Sequence, residues 1–418
     1  MANTPKIRFK GFTDDWEQRK LGELGQFKNG MNFSKDAMGK GYSFVNLQNI
    51  FGKNIIDTEN LGLAEATDNQ LKEYNLKKGD VLFVRSSVKL EGVGEAALVP
   101  KDLENTTYSG FVIRFRDESD MDSNFKRFVF GTALIRNQIM AKATNSANKN
   151  ISQEVLNNLE LYVPYKDEQS KIGTYLSNLD NLITLHQRKC DETKELKKYM
   201  LQKIFPKNGE KRPEIRFAGF TDDWEQRKLG ECGETFTGLS GKTKDDFGHG
   251  DARFVTYMNV FSNPIADKEK VEAVEIDKTQ NCVQYGDVFF TTSSETPEEV
   301  GMSCVWLENT ENTYLNSFCF GYRPTINIDP YFMAYVLRSE TVRKKIVFLA
   351  QGISRYNISK NKVMEIEIPL PSIKEQQLLG KYFDNLDNLI TLHQRKCDEL
   401  KEVKKYMLQN MFPSKTER

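Results

Sequence analysis

Residues 178–192 read NLDNLITLHQRKCDE, and residues 385–399 repeat those letters without a change. From Asp167 the apolar positions Ile172, Leu176, Leu179 and Ile183 recur at three- and four-residue intervals, with no proline before Pro206, so the stretch predicts one long helix. The seam continues through His186, Cys190, Thr193, Leu196, Met200 and Ile204. In the second copy it runs through Phe383, Leu386, Ile390, His393, Cys397, Leu400 and Met407, a heptad-like pattern. About 38 residues at about 1.5 Å each make a rod of roughly 57 Å, too long for one small domain to bury. Two such rods in one chain are expected to pair with each other. Because half of the chain lies between them, an antiparallel coiled coil about a pseudo-twofold axis is the simplest packing.

Outward from the helices the duplication continues. Ile7–Glu23 (IRFKGFTDDWEQRKLGE) returns as Ile215–Glu231, differing only at Lys10 and Ala218. Between these blocks the copies diverge, yet the frame stays traceable. Gly79-Asp80-Val81 matches Gly286-Asp287-Val288, Ser86-Ser87 matches Ser293-Ser294, Phe111 matches Phe318, and Ile151-Ser152 matches Ile358-Ser359. Each half therefore has one fold. Identical frames imply a surface offered to a shared partner, and divergent inserts imply that each half touches something different. Strand-like runs at Asp80–Val84, Phe111–Arg116 and Leu159–Val163, with helical stretches near Ser123–Met140 and Asp329–Phe348, make each half an α+β unit. The expected organisation is a first mixed domain over 1–166, a helix over 167–206, a second domain over 207–371 and a second helix over 372–418.

Composition excludes several classes. Hydrophobic residues are 39% and charged residues 28% of 418, enough to build a core and far from disorder. No apolar run approaches the roughly 20 residues of a membrane helix. The N-terminus lacks the apolar block of a secretory signal, and the six cysteines are scattered with no C-x-x-C pair, so free thiols in the cytoplasm are expected. Fifty-nine basic and 59 acidic side chains cancel, so the distribution of charge carries the information. Ser123–Gln153 has Lys126, Arg127, Arg136, Lys142 and Lys149 with no acid. The matching stretch Arg338–Lys362 has Arg338, Arg343, Lys344, Lys345, Arg355, Lys360 and Lys362 against Glu340 alone. Both read as a helix followed by a polar loop, 144–150 (TNSANKN) and 351–357 (QGISRYN). Such loops combine cations that neutralise phosphates with Asn, Arg and Ser groups able to reach base edges, so duplex DNA is the expected ligand.

Other motifs yield to plainer readings. Gly92-Val93-Gly94-Glu95-Ala96-Ala97 fits a dinucleotide loop, but the second copy has Glu299 at the first glycine and Pro100 arrives before a helix could follow, so a glycine-bearing hairpin is expected. Asp329-Pro330-Tyr331-Phe332 approaches an amino-methyltransferase motif, yet its counterpart Asp122-Ser123-Asn124-Phe125 marks both as helix caps. His186 and Cys190, with His393 and Cys397, have ligand-like spacing but fall in the helix seam, where packing is the simpler role. His249 has no partner identifiable by spacing, and no catalytic constellation emerges.

The paired GFTDDWEQRKLGE openings, the passages ISQEVLNNLELYVPYKDEQ and ISKNKVMEIEIPLPSIKEQQ, and the twin NLDNLITLHQRK helices together resemble the specificity subunits of type I restriction-modification systems, across the whole chain. The resemblance implies two target recognition domains that each read half of a bipartite DNA site, with long helices setting their separation. It implies two methyltransferase subunits docked on the repeated frame, restriction/translocase subunits in the larger complex, and S-adenosylmethionine and ATP-Mg serving those partners. This chain would hold no cofactor or metal and no catalytic activity of its own. Unlike inserts imply an asymmetric site. The expected base-reading residues are Lys142, Asn145, Lys149 and Asn150 in the first domain and Arg355, Tyr356 and Asn357 in the second. Hairpin groups Arg85, Ser87, Lys89, Thr291 and Ser293 support them, and Lys126, Arg127, Arg343, Lys344 and Lys345 are expected on phosphates. The competing reading is a pseudo-symmetric scaffold that joins protein partners without reading DNA.

Overall fold

The computed structural model describes residues 4–144 and 148–414. The chain divides into two compact units, Met1–His186 with Arg395–Arg418, and Gln187–Gln394. The first contains β1 (Glu17–Lys20), β2 (Gly25–Asn29), β3 (Met38–Val45), β4 (Gly62–Ala64), α1 (Asp68–Glu73), β5 (Val81–Val84), β6 (Ser86–Ser87), β7 (Ala96–Leu98), β8 (Thr106–Tyr108) and β9 (Val112–Asp117). These are followed by α2 (Ser123–Val129), α3 (Ala133–Lys142), β10 (Lys149–Asn150), α4 (Gln153–Asn157), β11 (Glu160–Val163) and the start of α5 (Lys166–Lys203). The second unit repeats the order with β12 (Glu225–Lys228), α6 (Leu229–Cys232), β13 (Gly233–Thr237), β14 (Phe247–Val255), α7 (Tyr257–Ser262), β15 (Val271–Val274), β16 (Val288–Thr291) and β17 (Ser293–Ser294). Then come β18 (Ser303–Val305), β19 (Thr313–Leu315), β20 (Cys319–Pro324), α8 (Pro330–Val336), α9 (Glu340–Phe348), β21 (Tyr356–Asn357), α10 (Lys360–Met364), β22 (Glu367–Leu370) and α11 (Ile373–Asn410).

Sheet topology is the same in both. A four-stranded antiparallel sheet has the order β2-β9-β5-β7 in one unit and β13-β20-β16-β18 in the other, beside three-stranded sheets β4-β3-β8 and β15-β14-β19. Strand β5, VLFV, is buried on both faces because its side chains alternate between two cores. Val81 and Phe83 join the core under the helices, and Leu82 and Val84 join a second core on the opposite side. In β16, Val288 and Phe290 take one core and Phe289 the other. The helical stretch expected over Ser123–Met140 is broken in two, as is Asp329–Phe348. The Thr132 hydroxyl donates to the Val129 carbonyl at 2.7 Å, and the Ser339 hydroxyl donates to Val336 at 2.6 Å, ending one helix and starting the next. Asp122 and Asp329 cap α2 and α8 by accepting from Phe125 and Phe332 N–H at 2.9 and 2.8 Å. Gly94, at φ +66°, lies in the hairpin that displaced the dinucleotide reading.

Both long helices span 38 residues and start close to the expected positions, and the division into two compact units falls within each rod, after His186 and after Gln394. Within the first unit, the α5 start and the α11 end run antiparallel. Asp180 binds Lys404, and the Cys397 thiol lies 3.9 Å from the Ile183 carbonyl. Within the second, Lys197 binds Asp387 at 2.5 Å and Cys190 lies 3.8 Å from the Ile390 carbonyl. Both cysteines are fully buried seam residues. Asp180 and Asp387 are counterparts in the repeat, as are Lys404 and Lys197, so both units make the same helix pairing.

The aromatic tails follow the same rule. Phe412, after α11, packs on Trp16 and Phe125 of the first unit, with ring centroids 6.2 and 5.6 Å away. Phe205, after α5, packs on Trp224, Phe332 and Phe383 of the second. Each core is thus closed by the helix end that follows the other mixed domain in sequence. Two further pairs lock the frame. Arg8 clamps the buried Glu168 through two bonds of 2.6 and 2.8 Å, and Arg216 clamps Glu375 at 2.7 and 2.8 Å. Buried Gln169 and Gln376 accept from Asp122 and Asp329 N–H while donating to Pro164 and Pro371 carbonyls, tying each helix start to the cap of α2 or α8.

The contact between α5 and α2 requires a glycine. A Cβ at Gly173 would stand 2.6 Å from the Phe125 nitrogen, and one at Gly380 would stand 2.6 Å from Tyr331 Cβ. Gly173→Val should therefore push the helix off its cap and destabilise the first unit by about 1–3 kcal/mol, the usual cost of overpacking, and thermal unfolding would register it. An unchanged transition would show that the helix can shift freely there.

Candidate nucleic-acid interface

The polar loops and the hairpin residues picked out separately in the sequence are brought together by a small antiparallel ladder in each unit. In the first, β10 pairs with β6, placing Lys149 opposite Ser87 and Asn150 opposite Ser86. In the second, β21 pairs with β17, placing Asn357 opposite Ser293 and Tyr356 opposite Ser294. The ladder is anchored to the central sheet. Ile151 N–H donates to the Arg85 carbonyl and Arg85 N–H to the Phe111 carbonyl, at 3.0 and 2.8 Å, while Ile358 donates to Thr292 and Thr292 to Phe318, both at 3.0 Å. Segment 351–357 closes on itself through two backbone bonds between Gln351 and Asn357. Segment 351–357 is therefore a hairpin held in register.

Around the first ladder, Lys89 and Lys142 are exposed, and Arg85, Ser87, Lys149 and Asn150 are half-buried. Arg85 Nη1 donates to the Gly110 carbonyl at 3.4 Å, and the Asn150 amide donates to the Asn148 carbonyl at 2.8 Å. Asn145 lies outside the described residues. A cleft of about 540 Å³ beside the ladder is lined by Ser86, Ser87, Val88, Lys89, Phe111 and Asn148, among others. Around the second ladder, Arg355 and Asn357 are exposed and Tyr356 is half-buried. Arg355 Nη2 donates to the buried Ser293 hydroxyl at 3.2 Å, and the Tyr257 hydroxyl donates to the Ser293 carbonyl at 2.8 Å.

Most of the expected phosphate contacts are placed elsewhere. Lys126 is 5% exposed and ion-paired with Asp117 at 3.0 Å. Arg127 binds Asp180 at 2.5 Å and the Asn54 side-chain oxygen at 2.9 Å, and burial lowers its pKa. Arg343 donates to the carbonyls of Gly301, Val300 and Glu298, with its pKa pushed down to about 10 by burial. Lys345 donates to the Glu367 carbonyl at 2.8 Å, and Lys344 is exposed but ion-paired with Glu340 one helical turn away. Thr291 is fully buried, its hydroxyl accepting from Met302 N–H. Lys126, Arg127, Arg343, Lys345 and Thr291 are thus all engaged by groups of the protein itself. Local sequence shows a charge but not the carboxylate or carbonyl that reaches it from a distant segment. Arg343→Ala, leaving three carbonyls without a donor, should cost about 1–3 kcal/mol of stability without changing the salt dependence of DNA binding. A reduced salt slope in a stable variant would restore the phosphate role.

Sequence reasoning missed Val88, Thr292 and Tyr257 at the ladders, and the exposure of Phe111 and Phe318. The last two were already aligned by the repeat, a signal for a shared role that the frame made available.

A family model for the type I restriction modification DNA specificity domain matches this chain twice, over residues 13–195 and 221–402. The chain belongs to this family. One specificity domain falls in each half of the repeat, so the two ladders occupy equivalent places in two DNA specificity domains. Among curated relatives, a putative type I restriction enzyme MjaX specificity subunit from Methanocaldococcus jannaschii is 23% identical, covering 99% of this chain and 96% of its own length. The EcoKI specificity subunit of Escherichia coli is 26% identical over 36% of this chain. Among solved structures, the S subunit of a type I restriction-modification system from M. genitalium matches with a TM-score of 0.58 at 16% identity, covering 99% of this chain and all of that one. The HsdS subunit from Thermoanaerobacter tengcongensis matches with a TM-score of 0.51 at 18% identity, covering 99% of both. These structures share the fold: two mixed domains with long helices. No helix among the described residues is long and apolar enough to cross a membrane.

Proposed function

We propose that this chain is the non-catalytic DNA-reading subunit of a type I restriction-modification complex, each specificity domain reading one half of an asymmetric, interrupted site. The observation that carries this reading is the recurrence of one scaffold with different contents. The ladder keeps Ser86-Ser87 and Ser293-Ser294, with Asn150 and Asn357 opposite them, while the residues just before those asparagines change from Asn148-Lys149 in one domain to Arg355-Tyr356 in the other. A scaffold held constant while its polar tips change is what two unlike base sequences read by one fold require. Phosphate contacts then fall to cations still facing solvent, Lys89 and Lys142 in the first domain and Lys344 in the second.

The unchanging frame supports partners bound in duplicate. Exposed apolar side chains recur at matched helix positions, Leu182 with Leu389, Leu185 with Leu392 and Tyr199 with Tyr406, all 43% exposed or more. Two copies of a methyltransferase subunit meeting these positions would each find the same surface. Restriction/translocase subunits would join that assembly, with S-adenosylmethionine and ATP-Mg serving the partners and the chemistry done in them.

Titration of specific and random duplexes at several salt concentrations tests the proposal. Lys89→Ala and Lys142→Ala should weaken binding to all sequences and reduce the salt slope by about 0.9 for each phosphate no longer neutralised. Arg355→Ala or Tyr356→Ala should instead relax selectivity at one half-site by about 1–3 kcal/mol. Binding with no sequence preference at any salt concentration would leave the scaffold reading in its place.

A further inference from the structure

Phe111 and Phe318 occupy matched positions in inserts that largely diverge, and both rings face solvent, 57% and 58% exposed. A single exposed apolar residue needs no explanation, but this pair is rigidly presented. The buried Ser109 and Asn316 side chains accept from Phe111 and Phe318 N–H, at 3.3 and 2.9 Å. The two carbonyls accept from Arg85 and Thr292 N–H, the same backbone that anchors each ladder. Thr292 adds a hydroxyl donor to Phe318 at 2.8 Å. Each ring therefore stands on a fixed turn next to the base-reading hairpin. Phe111 lines the cleft with Ser87, Val88 and Lys89, and Phe318 stands beside Thr292, which accepts from Ile358 just after the strand carrying Tyr356 and Asn357.

Residues that read a particular base should differ between domains reading different half-sites, as Asn148-Lys149 and Arg355-Tyr356 do at matched positions. A residue kept the same in both serves something the half-sites share. We propose that Phe111 and Phe318 are apolar wedges, one per domain, that enter the duplex beside the read bases and stabilise an unstacked step. The inference rests on the DNA-reading function proposed above. Its chemistry suits the site, because an aromatic ring on a rigid turn stacks on any base regardless of identity, and in the first domain the cations Arg85 and Lys89 stand beside Phe111, where they would hold the DNA backbone. Methylation of a base in a duplex requires that base to leave the stack, so a step already loosened in each half-site lowers the cost of extrusion.

The test uses the full chain assembled with its methyltransferase subunits, after methylation mapping has defined the half-sites. Duplexes carrying 2-aminopurine at successive positions report unstacking by increased fluorescence. The intact complex should show one bright step in each half-site. Phe111→Ala should abolish the first and spare the second, Phe318→Ala should do the reverse, and Phe111→Trp should retain the signal. Each alanine variant should bind about 10- to 100-fold more weakly, with unaltered base preference, and should regain affinity on a duplex mismatched at that step. If the intact complex binds selectively but Phe111→Ala leaves fluorescence and affinity unchanged, the wedge is wrong and the reading function stands. If the intact complex shows no sequence preference, the reading function itself fails. Dissociation of the methyltransferase subunits from a stably folded Phe111→Ala variant would overturn the wedge by assigning the ring to a protein surface.

Discussion

A fragment ending at Pro206 should form a twofold homodimer and, with a methyltransferase partner, should modify a palindromic interrupted site built from one half-site alone. Alone, the fragment lacks the residues that complete its own core. Trp16 and Phe125 are left without Phe412, and Asp180 without Lys404. Exposing a core that a Phe should fill costs about 3–5 kcal/mol, a large share of a small domain's stability. Yet the fragment carries equivalents of both missing groups, Phe205 and Lys197, which in the full chain pack on Trp224 and bind Asp387. A second copy can supply them, and each copy then closes the other. Light scattering should give the dimer mass at micromolar concentration, and Phe205→Ala in the fragment should shift it toward a poorly folded monomer. A well-folded monomer without that substitution would sink the account of how each core is closed.

Exchanging Leu24–Val155 for Cys232–Lys362 should replace one half-site with a copy of the other while assembly survives. The cuts respect the structure. Strand β1 ends before Leu24 and β11 begins after Val155, so the β1–β11 pair stays with the frame, as do Arg8 and Glu168. Leu24 and Cys232 are both buried at the start of equivalent strands, β2 and β13, so the joint meets a comparable environment. Methylation mapping would show two copies of one half-site in inverted orientation. Failure to assemble when both inserts are folded would count against modular exchange.

The duplication, the long helices and the strands nearest β5, β9 and β11 were legible because they depend on local period and on letters that repeat. The paired helices followed from a seam present twice. Strands β4 and β8 were not legible, since three residues leave almost no periodic signal, and β3 escaped because only its last two residues, Phe44 and Val45, are buried. The breaks at Thr132 and Ser339 escaped notice because a hydroxyl turning back to a carbonyl is invisible in an apolar pattern. For the site, position within the repeat was a better guide than charge. It put Ser87 near Lys149 and Ser293 near Asn357, whereas charge alone chose Arg127 and Arg343, whose partners come from segments distant in sequence, and Lys126, whose partner Asp117 ends the preceding strand.

The closing of each core by a distant tail also bears on how the chain is made. Phe205 leaves the ribosome 207 residues before Phe412, an interval of about 10–40 s at the usual 5–20 residues per second. During that time the first recognition domain has an open aromatic socket at Trp16, and the only finished plug of the right shape stands at the far end of α5, a rod of about 57 Å that cannot bend back to it. The plug can nevertheless reach the socket of another nascent chain on the same message. Spacing between translating ribosomes, more than the strength of any interaction in the finished molecule, would then decide how often two unfinished chains capture each other before the second half of either arrives.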